Sequence, residues 1–356
     1  MEDVQGVQGS DHMRAVDVDG SLGEGGGQML RSALSLSALT GKGVRVRNIR
    51  ANRPRPGLSA QHLTAVRGVA AVSRAEVEGD RLGSEEVTFR PGDVLGGSHR
   101  LSVGTAGSVT LVLQACLLPL ARADGPSSLE ISGGTNVRWS PPVDYYVNVL
   151  FPLLRRMGLD IDIEIPERGF HPEGGGSVRV GVRPARELMG LDLEERGELR
   201  ALRGVCFSRN LPEHVCRRMS HRVKGDLIDL GEVRISSDEG EGPSTGAGIC
   251  LFAEFDRTVL GSDGLGERGM PAEKVADTAS SGLREEIGSA ATLDVHAADQ
   301  LLPFMATATG ASTFWTREMS GHLRTQFDLV SRFLEVDIQV QDGVKGHRVC
   351  VMPTRT

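Results

Sequence analysis

The chain has 356 residues, of which 39% are hydrophobic and 24% charged, with a formal net charge of −7. That length suits two domains, and the negative balance excludes a protein that coats nucleic acid indiscriminately while leaving room for a local basic groove. Five cysteines, at 116, 206, 216, 250 and 350, form no Cys-x-x-Cys pair and no even framework, so neither a structural zinc site nor a disulfide scaffold is indicated and a reducing cytoplasm fits best. The most apolar stretch, residues 109–121, is interrupted by Gln114 and Pro119 and falls short of the roughly 20 residues a membrane span needs, so no membrane partner is expected. The first 13 residues, polar and ending in Gly-Ser-Asp-His-Met13, carry no hydrophobic signal; they are expected to lie outside the fold, disordered or left over from a tag.

Residues 14–19 alternate as a short strand and residues 29–39 carry helical periodicity, so Gly23, Gly25, Gly26 and Gly27 sit where a strand hands over to a helix start. Backbone N–H groups there are unpaired and welcome an anion. The spacing matches neither common phosphate loop, because no Gly-Lys-Ser/Thr ending follows and Gln28 stands where a dinucleotide fingerprint needs glycine. A flexible turn is the plain alternative. Glu24 points the other way: a carboxylate beside a phosphate cradle repels an anion unless a cation lies between them, which suggests a Mg2+ or Mn2+ site.

A strand at 44–47 leads into the loop Ile49-Arg-Ala-Asn-Arg-Pro-Arg-Pro-Gly57, whose prolines are expected to hold it extended. Its Arg50, Arg53 and Arg55 read either as a solvated surface or as planar groups placed to grip phosphate in two-pronged fashion. A helix follows to about Arg74, then short strands at 76–82, 87–90 and 99–103. Residues 104–108 open a buried helix in which the Gln114 amide needs partners, either nearby backbone or a ligand. After a strand at 129–134, Pro141 and Pro142 open a helix at 143–157 that Pro152 is expected to kink, and residues 160–165 alternate as a strand.

The first motif then returns: His171-Pro-Glu-Gly-Gly-Gly-Ser-Val-Arg179 has a glutamate before three glycines and an arginine close behind, as Glu24 and Arg31 do, which suggests a duplicated αβ unit. Because this copy runs into an alternating strand, it reads as structural. Residues 186–284 shift to a strongly charged composition and read as an inserted αβ module, with strands at 202–208, 233–236 and 249–255 and helices at 212–228 and 271–287. The glycine-rich stretch 240–248 reads as a mobile loop. In the last segment a carboxylate, Asp299, lies between His296 and His322, with His322 at the start of a helix to about residue 334 and closing strands at 336–340 and 347–352.

Together these pieces resemble the RNA 3′-terminal phosphate cyclases, from Arg14 onward. The match covers Asp19-Gly-Ser-Leu-Gly-Glu-Gly-Gly-Gly-Gln-Met-Leu-Arg31, the arginine loop with the following Gln61 and His62, Gly104-Thr-Ala-Gly-Ser108 through Gln114, Ser132-Gly-Gly-Thr135, and Ala298-Asp-Gln-Leu-Leu-Pro303 followed by His322. The resemblance implies an α/β (α+β) fold: a larger domain of repeated βα units, residues 14–185 and 285–356, interrupted by the smaller module at 186–284. It implies the catalytically competent branch, in which His322 takes AMP from ATP with loss of pyrophosphate and AMP passes to an RNA 3′-phosphate, which closes to a 2′,3′-cyclic phosphate.

On the same grounds Glu24 would hold the metal, and Arg31, Arg50 and Arg53 would offset phosphate charge, with Gln61 and His62 lining the groove. Gln114, His296, Ala297, Ala298, Asp299 and Gln300 would bind the nucleotide, with Pro141 or Pro142 as a second face for adenine. One departure is His296, where bacterial relatives tend to carry tyrosine. The competing expectation is a non-catalytic, cyclase-like RNA-binding factor of ribosome maturation, which would lack the nucleophilic histidine. Oligomeric state is open, a homo-oligomer included.

Overall fold

The computed structural model describes residues 15–23 and 26–354, so the expectations for residues 1–13 and for Glu24 lie outside the described residues. The larger body is built from one unit used repeatedly. In the first copy β1 (Val16–Asp19) passes through α1 (Gln28–Thr40) to β2 (Val44–Arg47), and α2 (Ala60–Ser73) is followed by β3 (Glu76–Glu78) and β4 (Val87–Arg90). The sheet runs β1-β2-β4-β3, with only β1 and β2 parallel. In the second copy β5 (Gly97–Ser102), α3 (Val109–Leu120) and β6 (Ser127–Gly133) precede a helical run of α4 (Val143–Tyr145), a π turn (Tyr146–Leu150) and α5 (Phe151–Arg156), then β7 (Asp160–Glu167) and β8 (Gly176–Arg183). Its order, β5-β6-β8-β7, repeats the first.

The glycine echo is not what marks this duplication. The first glycine segment occupies the turn from β1 to α1, whereas the second lies between β7 and β8, so the true counterpart of the first is the turn at residues 104–108. The helix expected to kink at Pro152 instead widens into the π turn just ahead of it. Proline has no N–H for the carbonyl four residues back and its ring crowds that carbonyl, and a wider turn relieves both.

The inserted module comprises β9 (Leu199–Arg209), α6 (His214–Asp226), β10 (Val233–Gly240), β11 (Gly246–Phe255), β12 (Val259–Leu265) and α7 (Ala272–Gly288), with strand order β10-β9-β11-β12. Strand β11 is apolar along its length because both faces are covered. Ile249 and Leu251 join the core under α6 and α7, while Cys250 and Phe252 join the core of the larger body. The module therefore spans 199–288, not 186–284. In the charged stretch ahead of it, Leu188, Leu191 and Leu193 are buried in the larger core; the charged residues that follow and separate them made the stretch look like part of the composition shift.

The last copy consists of α8 (Val295–Met305), β13 (Ser312–Thr316), α9 (Gly321–Phe333), β14 (Val336–Gly343) and β15 (Gly346–Pro353), with order β13-β15-β14. It lacks its own first strand. Residues 188–193 take that place, since Met189 and Asp192 bridge in parallel to Thr309 and Thr313, and the Leu193 N–H donates to the Thr313 carbonyl at 2.7 Å. The module is thus spliced into the strand-to-helix turn of the third copy, the place that the glycines hold in the first. Its two ends meet where Arg196 donates to the Ile287 carbonyl at 2.7 Å.

A buried ion network fastens module to body. Arg168, only 2% exposed, donates through two nitrogens to Asp144 at 2.7 and 2.8 Å and through Nε to Asp238 of β10 at 2.7 Å, and its guanidinium lies 4.7 Å over the Phe207 ring. Burial alone would lower the pKa of this guanidinium, but the Asp144 and Asp238 bonds hold it above its ordinary value. The 240–248 segment, expected to be mobile, is pinned here: the Ser244 hydroxyl accepts from the Phe170 N–H and donates to the Gly174 carbonyl.

Candidate active site

The described site is assembled where the start of α1 meets the first turn of α9, with α8 packed against α9. Gly23 is in the left-handed region at φ +62°, and a Cβ there would collide with Thr325 Oγ1, one turn beyond His322 on α9. Gly27 has no room for a Cβ either, because the His62 ring stands against it. A second tie between α1 and α9 is the Gln326 Nε2 donation to Ser32 Oγ at 2.8 Å. Helix α9 starts at Gly321, capped by Ser320 Oγ accepting from the Leu323 N–H, so His322 lies in the first turn, part-exposed.

Arg31 is 8% exposed, donates Nε to Gln114 Oε1 at 3.3 Å and feels Asp299 of α8 electrostatically. Burial lowers its pKa to about 10, which still leaves it charged at neutral pH. The partner of Gln114 is therefore a charged side chain, where nearby backbone or a ligand was the expectation. Asp294 caps α8 by accepting from the His296 and Ala297 N–H groups, and the same carboxylate accepts from Tyr145 Oη at 2.6 Å and from the Gly261 N–H of β12 at 2.8 Å. Sequence reasoning missed this tie, although an aspartate before an apolar helical run is a capping signal. His296 is exposed and meets the Tyr145 ring edge-on at 6.4 Å, whereas Ala297 and Ala298 are fully buried and serve as packing.

The arginine loop is not extended. Asn48 and Arg50 adopt positive φ, successive turns fold the segment back, and the Gly57 N–H closes it on the Ile49 carbonyl at 2.7 Å. Arg50 is held by donation to the Gly57 carbonyl, while Arg53 is exposed and reaches toward Gly26. Burial and the neighbouring Arg53 lower the Arg50 pKa.

Gln61 and His62, expected to line the groove, turn inward. Gln61 Oε1 accepts from the Ser108 N–H and so holds the start of α3, while His62 is 5% exposed with Nδ1 2.6 Å from Ser59 Oγ. Burial, then Arg31 and Arg50, lower the His62 pKa to about 3, so the ring is neutral and offsets no phosphate charge. The unfolded chain takes up a proton below about pH 6.5 that the folded chain refuses until about pH 3. His62→Gln should therefore flatten the stability profile between those limits by up to about 1.4 kcal/mol per pH unit, with no change of slope above pH 7, as read by urea denaturation.

Three amide oxygens on these helices, those of Gln28, Gln300 and Gln326, are buried with no hydrogen-bond partner among the described residues. Each orphan of this kind costs about 1–3 kcal/mol, and a bound ligand with hydroxyl or N–H donors would satisfy it. At the seam between body and module opens a cavity of about 410 Å³ lined by Trp139, Pro142, Phe207, Asp263 and Leu265. Pro142 lines it; Pro141 instead accepts from Thr110 Oγ1. No group of three or more His, Cys, Asp and Glu placed to hold a metal occurs among the described residues, and Glu24 lies outside them.

A model of the family described as "RTC: RNA 3'-terminal phosphate cyclase" matches residues 22–340. The chain belongs to the RNA 3′-terminal phosphate cyclase family. Among its curated relatives of that name, the one from Archaeoglobus fulgidus is 47% identical over 320 residues, covering 90% of this chain and 95% of its own. Those from Methanopyrus kandleri and Nitrosospira multiformis are each 45% identical, covering 95% of this chain and 98% and 96% of their own. Among solved structures, the enolpyruvyl transferase NikO from Streptomyces tendae covers 96% of this cyclase-family chain and 66% of its own at 11% identity and a TM-score of 0.27, an overlap too loose to bear on the fold.

Proposed function

We propose that the chain is an ATP-dependent RNA 3′-terminal phosphate cyclase in which His322 is the nucleophile. The observation that carries the reading is the convergence of α1, α8 and α9: Gly23 seated against Thr325 brings the glycine turn to the first turn that carries His322, and Arg31 stands opposite Asp299.

A ring nitrogen of His322 attacks the α-phosphorus and takes AMP while pyrophosphate leaves. The RNA 3′-phosphate oxygen then attacks the same phosphorus and frees the ring. The neighbouring 2′-hydroxyl closes onto the terminal phosphorus, loses its proton and expels AMP. Arg31, buried and cationic, stabilises charge on the nucleotide phosphates, and the exposed Arg53 beside the glycine turn meets the RNA end. The helix starts of α1 and α9 favour an anion, and the Gln300 oxygen, buried without a partner among the described residues, would accept from a ribose hydroxyl. Glu24, next to Gly23, would hold Mg2+ or Mn2+, whose role is to screen the triphosphate.

The nucleoside would lie along the first turns of α8, with Pro142 on one side. Among the described residues no helix is long and apolar enough to cross a membrane. The five free thiols, four of them buried, suit the cytoplasm.

An oligoribonucleotide with a 3′-phosphate should become resistant to phosphatase only when ATP and a divalent metal are present, with AMP and pyrophosphate released in equal amounts. A 3′-end that stays phosphatase-sensitive would refute the reading. Arg53→Ala should raise KM for the RNA end about tenfold or more, from the loss of a charge-assisted contact, while self-labelling by ATP persists. Unchanged RNA kinetics would make Arg53 an ordinary surface residue.

A further inference from the structure

The seam cavity holds a carboxylate that no described residue satisfies. Asp263 lies on β12, whose residues alternate between the module core and the larger body; Val259 and Gly261, on the same face as Asp263, point toward the larger body, Gly261 directly against Tyr145 and Val149. Asp263 therefore projects into the seam, where it lines the cavity with Trp139 and Pro142. The cationic neighbour at the rim, Arg138, is engaged by Glu267.

The other nearby carboxylates have their donors. Asp294 accepts from Tyr145 and three backbone N–H groups, and Asp144 accepts from Arg168 and Asn136. Asp263 is left with burial and the repulsion of Asp294 and Asp144, against which only His296 pulls, and its pKa rises to about 6. Asp263 is part-buried and faces the cavity, so its carboxylate, which accepts no hydrogen bond from a described residue, is open to a ligand that brings a donor.

The walls say what that is. Trp139 is 94% exposed at a positive φ of 64°, so its indole is presented to the cavity mouth and not packed into a core. Pro142 offers a flat apolar face inside. A planar heteroaromatic ring with an N–H donor fits between such walls, and His296, which acts electrostatically on Asp263, is on the same helix as Asp299 and Gln300. A metal cation would find one free carboxylate and apolar walls, a poor donor set.

Resting on the proposed function, we infer that Asp263, contributed by the inserted module, selects the nucleobase of the incoming triphosphate by accepting a hydrogen bond from the 6-amino group of adenine. The module then acts in base recognition, with Asp263 as a specificity-determining residue.

The test compares ATP with purine riboside triphosphate, which differs by having hydrogen in place of the 6-amino group, in single-turnover self-labelling of the full chain. The wild type should favour ATP by about tenfold or more, the size of one charge-assisted hydrogen bond. In Asp263→Ala the preference should fall to near one, and in Asp263→Asn, whose carbonyl still accepts, part of it should remain. Equal preference in wild type and Asp263→Ala, or equal slowing with both nucleotides, would overturn the inference. Failure of the wild type to label with either nucleotide would instead overturn the adenylylation reading, and this one with it.

Discussion

His322→Ala should abolish labelling of the protein by α-labelled ATP and, with it, conversion of 3′-phosphorylated RNA. The expected wild-type adduct is acid-labile and base-stable, as a phosphorus–nitrogen bond is, and mass spectrometry should show one added AMP. The loss should be near complete, because no other group replaces a nucleophile that forms the covalent bond. The substitution should hardly touch stability, since His322 is part-exposed and the α9 cap belongs to Ser320. RNA that already carries a 3′-adenylate should still cyclise in this variant, because that step asks nothing of the imidazole. Label persisting in His322→Ala would place the nucleophile elsewhere.

Arg168→Ala should be strongly destabilising, by about 3–5 kcal/mol, with a lowered urea midpoint. The reason is what it leaves behind. Asp144 is 3% exposed and would keep an uncompensated charge at the seam, and the Phe207 face would lose its cation, while Asp238 would be left with Arg209 alone. Lysine should not rescue it, because a point charge cannot bond both Asp144 oxygens and Asp238 together. The paired change Arg168→Met with Asp144→Asn should cost much less than the sum of its parts, as removing both charges avoids the stranded one. An additive result would mean that the two residues do not act as a pair.

Much of this architecture is legible in the chain itself. The amphipathic helices and alternating strands of the first two units follow from periodicity, and the glycine turn, Arg31 and His322 stand out as chemistry before any coordinates. What is hidden is whatever depends on partners far apart in sequence. Gln114 finds Arg31 across 83 residues, and Gly27 is small because His62 fills the space beside it, so residues that look like ligands of a groove are partly supports for a turn. Strand β12 escapes notice because Gly261, Ser262, Asp263 and Gly264 dilute its pattern, and with it goes the residue facing the seam cavity. The boundary of the module is misplaced for a related reason: in residues 191–196 charge on one face disguises leucines on the other.

The splicing of ninety or so residues into a single strand-to-helix turn bears on how such a chain reaches its shape. With entry and exit clasped by Arg196 and Ile287, the module is a side branch, and the entropy of closing a loop grows only logarithmically with its length. The strand lent by residues 188–193 can therefore zip onto β13 whether or not the branch has matured. Synthesis order sets a different constraint: that strand leaves the ribosome long before β13 exists, and until then Leu188, Leu191 and Leu193 are an exposed apolar edge in need of shielding.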